Sequence, residues 1–100
     1  MRAKHRAFTL KNIKAACSNP KKLPITTTAQ TTAMSLGLNN EGIVSVIQNL
    51  RAWDYDHTVA ADHNPDQKMD VYMPTHENDR LYVKFTEIGE GIYVISFKRN

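Results

Sequence analysis

The 100 residues contain a single cysteine, Cys17, which rules out an intrachain disulfide and a cysteine-based zinc site. No apolar run is long enough to cross a bilayer, and the start, MRAKHRAFTL, is basic but lacks the apolar stretch of a secretory leader. A reducing, cytoplasmic setting away from membranes is expected. Glycine and proline number four each and are scattered, leaving no glycine-rich phosphate loop, repeat or low-complexity linker. A Gly-x-Ser-x-Gly elbow is absent too. Acid is missing from the first forty residues, which hold seven lysines and arginines before the first carboxylate at Glu41.

At 41% hydrophobic and 23% charged, the composition is that of a globular chain, and its length suits one domain over residues 1–100. Charge is unevenly spread. The first forty residues carry +7, residues 41–80 carry −5 and the last twenty +1. A basic arm, an acidic middle and a mildly basic end suit a polyanionic partner such as nucleic acid.

Helical patterning fills the first half. FTLKNIKAACSNP predicts a helix capped by Thr9, with Leu10, Ile13 and Cys17 on one stripe and Lys11 and Lys14 together on another face. LPITT reads as a short extended piece. TAQTTAMSLGL predicts a second helix, from Thr28 to a terminating Gly37. NNEGIVSVIQNL is the strongest helix, capped by Asn39 or Asn40, with Ile43, Val44, Ile47 and Leu50 as its buried stripe. After Leu50 the period changes: WDYDHTVAADH and KMDVYMP read as strands around an NPD turn. The expected class is α+β, an antiparallel sheet of about four to six strands with three helices packed on one face.

The terminal stretch, DRLYVKFTEIGEGIYVISFKRN, reads as a hairpin. A three-residue loop, Gly89-Glu90-Gly91, pairs Ile88 with Ile92 and gives Gly91 the left-handed position. Leu81, Val83 and Phe85 then share a face with Tyr93, Ile95 and Phe97, and burial selects this register. The opposite face pairs Tyr82 with Lys98 and Lys84 with Ser96. Two lysines a diagonal step apart contribute nothing to a core. They make either a solvated face or a site for an anion.

Two chemistries compete. Asp54, Asp56, His57, Asp62 and His63 could supply a hydrolytic metal centre, although their spacing fits no ligand motif. The alternative needs no metal and no cofactor. RNA carries its own nucleophile in the 2′-hydroxyl, so cleavage needs a base, a proton donor and cations for the phosphorane. His57, Tyr82, Lys84 and Lys98 are residues of those types.

The pieces LKNIK, LGLNNEG, VIQNL, DVYMP and YVKFTEI...YVISFK, in this order and spacing, resemble the MqsR toxins, motility quorum-sensing regulators. That resemblance implies a RelE-like toxin fold and a ribosome-independent mRNA endonuclease that arrests growth and favours GCU-type sites. It also implies a cognate antitoxin with a zinc-binding amino-terminal domain and a helix-turn-helix domain. Tyr82 falls on the family's catalytic tyrosine, and Lys84 and Lys98 fall on its hairpin lysines. His57 stands where the family has a lysine, and Met69 stands where it has a glutamine.

The candidate catalytic set is therefore Tyr82, His57 and Lys98, with Lys84, Ser96, Lys11 and Lys14 on the substrate. A binding module for RNA or protein that has lost cleavage is the second reading, and a metal phosphodiesterase using Asp54, Asp56 and His57 the third. Trp53 and Tyr72 are expected to pack, Met69 and Met73 to fill apolar gaps, and His63 to face water. His5 and His76 receive no role.

Overall fold

A computed structural model describes the backbone of residues 2–3 and 5–100, with side chains from residue 5 onward. Among the described residues, three α-helices follow a two-residue strand at Arg2–Ala3: α1 (Leu10–Ala16), α2 (Thr27–Ser35) and α3 (Asn40–Gln48). Each start is fixed by a side chain that satisfies an otherwise unpaired backbone N–H. The Thr9 hydroxyl accepts from the Asn12 amide, Thr26 from Ala29 and Asn39 from Gly42. Helix α2 ends at Gly37, whose φ of +84° lets Leu38 donate back to the Ala33 carbonyl. The stripe of α3 is Ile43, Val46 and Ile47, with Leu50 buried just beyond the helix; Val46 takes the place expected for Val44.

Six strands form one antiparallel sheet: β1 (Arg2–Ala3), β2 (Tyr55–Ala61), β3 (Asn64–Tyr72), β4 (Thr75–His76), β5 (Asp79–Ile88) and β6 (Gly91–Arg99). Laterally, β2 lies beside β3, β3 beside β5 and β5 beside β6, while β1 flanks β2. Strand β4 pairs with the first residues of β5 and continues the line of β3. The β2–β3 reversal falls at Asp62–His63 rather than at Asn64-Pro65-Asp66. Those three residues sit in an irregular stretch where the Asp66 amide donates to the Asn64 side chain. The extended LPITT piece is confirmed, since Ile25 bridges Val94 in parallel and shields the free edge of β6.

The helices cover one face of the sheet. Ile13 of α1 with Cys17 just beyond it, Ala29 and Ala33 of α2, and Ile43 and Ile47 of α3 pack on Tyr72, Val83, Phe85, Val94 and Phe97. The two alanines let α2 lie close on β6. Tyr55, Tyr72 and Phe85 stack edge to face along this side, with centroids 5.6 Å and 5.8 Å apart.

Strand β6 corrects the expected hairpin. Its outer half keeps the predicted register, but the loop is the two-residue Gly89-Glu90, closed by Ile88 and Gly91. Gly89, not Gly91, takes the positive φ, at +62°, as a type II′ turn requires at its first position. The one-residue difference is absorbed by a bulge at Ile95. Past the bulge the alternation inverts: Val94 enters the core, and Tyr93 turns to the face that carries Tyr82.

Candidate active site

The face of the sheet opposite the helices carries the polar residues. Tyr82 pairs with Lys98 and Lys84 with Ser96. The Lys98 ammonium lies 5.1 Å from the centre of the Tyr82 ring and that of Lys84 lies 5.9 Å away, so the phenol sits between two cations. Among the described residues its hydroxyl has no hydrogen-bond partner.

The other strands complete the row. Lys84 faces Val71 on β3, and Val71 faces His57 on β2. His57, Val71, Lys84 and Ser96 therefore run across the sheet on one face, with His57 two strands from Lys84, about 10 Å at the backbone. Val71 is fully buried yet stands outside the helix-side core, which makes it the floor beneath these side chains. A bulge at Asp56 sets His57 on this face. The Asp56 carboxylate lies 2.6 Å from Nδ1 of His57. A carboxylate accepts, so Nδ1 donates. The next row holds Val59, Met69, Thr86 and Tyr93, and Met69 thus occupies the open face.

Alternation along β5 adds Arg80, exposed and two residues before Tyr82 on the same face. The signal that picks out Tyr82 and Lys84 includes it. Tyr93 gave no such signal, because only the bulge brings it here. Lys11 and Lys14 are not brought into this group. They sit on α1, whose stripe packs on the other side of the sheet. The residues of the metal alternative do not converge either. Asp54 caps the turn by accepting from the Arg51 amide, Asp56 is held by His57, and Asp62 and His63 are in the β2–β3 turn. Among the described residues no three His, Cys, Asp or Glu side chains gather as ligands.

Behind this face lies a second polar network. The buried carboxylate of Asp70 accepts from the Ala7 and Phe8 amides, both at 2.9 Å, and from the Thr58 hydroxyl at 2.6 Å. Thr58 also contacts the Tyr55 hydroxyl. Tyr72 packs as expected, and burial raises its phenol above the ordinary value, while the nearby Arg6 guanidinium opposes that rise without completing a hydrogen bond. Trp53, expected to pack, is instead 81% exposed. An open groove of about 580 Å³ is lined by Ala7, Phe8, Gln67 and the β5–β6 turn, and none of the candidate residues borders it.

The structure is an α+β domain whose helix-free face carries Tyr82 with Lys84 and Lys98 beside its ring. Comparison with known families is more specific. Residues 5–99 match the family described as motility quorum-sensing regulator, toxin of MqsA. The chain belongs to that family of toxins, and an antitoxin partner is part of the family's description. No individual curated protein matches the chain significantly.

Proposed function

We propose that the chain is an endoribonuclease toxin that cuts mRNA without a metal ion, in the cytoplasm, and is held inactive by a cognate MqsA-like antitoxin with zinc-binding and helix-turn-helix domains. The observation that carries this reading is Tyr82 set between the ammonium groups of Lys84 and Lys98, on the face where His57, 9% exposed, has no partner at Nε2 among the described residues. His57 takes the proton of the substrate 2′-hydroxyl, and the 2′-oxygen bonds to phosphorus. The bond to the 5′-oxygen breaks, and Tyr82 gives that oxygen its proton. The products are a 2′,3′-cyclic phosphate and a 5′-hydroxyl. Lys84 and Lys98 stabilise the charge that builds on the phosphorane. Ser96 and Arg80 hold the flanking phosphates.

The purified chain, incubated with a long mRNA in EDTA, is expected to yield fragments with those ends. Intact RNA that shifts on a gel would favour the binding-module reading, which the apolar Met69 on the open face supports. Cleavage silenced by EDTA would favour a metal phosphodiesterase.

A further inference from the structure

Trp53 is the sole tryptophan and lies 81% exposed. Burying an indole is worth more than burying most side chains, so a chain that leaves one in water forgoes that stabilisation. Trp53 borders a groove of about 540 Å³ between the end of α3, the turn before β2 and strand β4. Ser45, Asn49, Arg51, Thr75 and His76 line it with hydrogen-bonding groups, as does Asp54, whose carboxylate accepts from the Arg51 amide.

The groove adjoins the open face. Thr75 pairs with Arg80, which precedes Tyr82 by two residues on the same side of β5, about 7 Å along the strand. Its Trp53 end is tied to the same end of the sheet, since the Met73 amide donates to the Asp54 carbonyl.

We infer that Trp53 is a stacking platform for a nucleobase of single-stranded RNA lying beyond the scissile phosphate, with Arg51 on its phosphate and Asn49 and Ser45 on its edge. This rests on the endoribonuclease reading and extends the substrate path past Arg80. A flat aromatic surface, an arginine and several amide and hydroxyl groups are what single-stranded RNA binding uses. A protein partner would need a contiguous apolar centre. Beside Trp53 the groove's apolar residues, Val46 and Pro74, are buried, and among the described residues the other large exposed apolar side chains, Met34 and Ile88, stand on α2 and at the end of β5.

The test uses the full chain and a 2′-O-methylated oligoribonucleotide, which cannot supply the attacking hydroxyl. Because Trp53 is the only indole, its fluorescence reports directly. Binding is expected to quench it. In filter binding, which needs no indole, Trp53→Ala should weaken affinity about tenfold or more, while Trp53→Phe, which keeps a ring, should lose less than about threefold. The slope of affinity with salt should be the same in all three. Binding without quenching, and equal affinity for Trp53→Ala, would overturn the stacking site while leaving the nuclease reading intact. Quenching by an MqsA-type antitoxin but not by RNA would overturn it in favour of a protein interface. No binding here, together with no cleavage of unmodified RNA, would remove the nuclease reading and this site with it.

Discussion

Replacing Asp70 by alanine should loosen the amino-terminal arm and destabilise the whole domain. The carboxylate is fully buried and makes three hydrogen bonds, two of them to the Ala7 and Phe8 amides, 63 and 62 residues away. Hydrogen bonds to a charged group are worth about 1.5–3 kcal/mol each, but burying the carboxylate costs several kcal/mol in return. The Thr58 hydroxyl keeps Tyr55 as a partner, and water can reach the two amides, which lie near the surface. The net loss should be roughly 2–3 kcal/mol, or about 10–20 °C in Tm for a domain of this size. Urea titration would show a lower midpoint with unchanged slope, and hydrogen exchange would show lost protection at Ala7 and Phe8. Asp70 points away from Met69 and Val71, so the open face should keep its arrangement. A stability change below about 0.5 kcal/mol, with both amides still protected, would refute the view that this carboxylate pins the arm.

Three further outcomes follow from other parts of the molecule. Burial pushes the Cys17 thiol up to about 11, from an ordinary 9.0, so the folded chain favours the neutral form. Its stabilising effect is complete below pH 9 and is lost as pH rises through 11, a fall of roughly 2 kcal/mol that Cys17→Ala should remove from the alkaline melting profile. Lys84→Ala and Lys98→Ala should each reduce the salt slope of RNA affinity by about 0.7, whereas Lys11→Ala with Lys14→Ala should leave it unchanged, as filter binding across salt concentrations would show. His57→Ala should lower cleavage about 100-fold or more, and His57→Lys, the residue type that the resemblance implies at this position, should retain more of it in the same rate assay.

Most of the local structure could be read from short-range chemistry. Thr9, Asn39 and Gly37 mark helix ends because capping and positive φ are properties of single residues. The pairing of Tyr82 with Lys98 was legible because only one register buries Leu81, Val83 and Phe85 together. What could not be read depends on single-residue irregularities. Tyr93-Val94-Ile95 fits unbroken alternation as well as a bulge, and the two-residue Gly89-Glu90 loop together with the contact of β6 with the Pro24–Thr26 segment distinguishes them. The row from His57 to Ser96 needs the bulge at Asp56 and the lateral strand order, neither of which leaves a local mark. Trp53 is similar: its exposure follows from where the turn before β2 leaves the sheet, not from its own apolarity.

In the proposed mechanism the phenol of Tyr82 transfers a proton during RNA cleavage. Tyr82→Phe removes one hydroxyl from a partly exposed ring outside the core, so folding should be unaffected. The ring that Lys84 and Lys98 flank is kept, and RNA affinity should change little. The deciding measurement is the single-turnover cleavage rate of one mRNA by the wild type and by Tyr82→Phe, at saturating protein and in EDTA. A fall of about 10²–10⁴-fold at equal affinity is predicted. Equal rates would contradict the claim and place the proton donor on another residue.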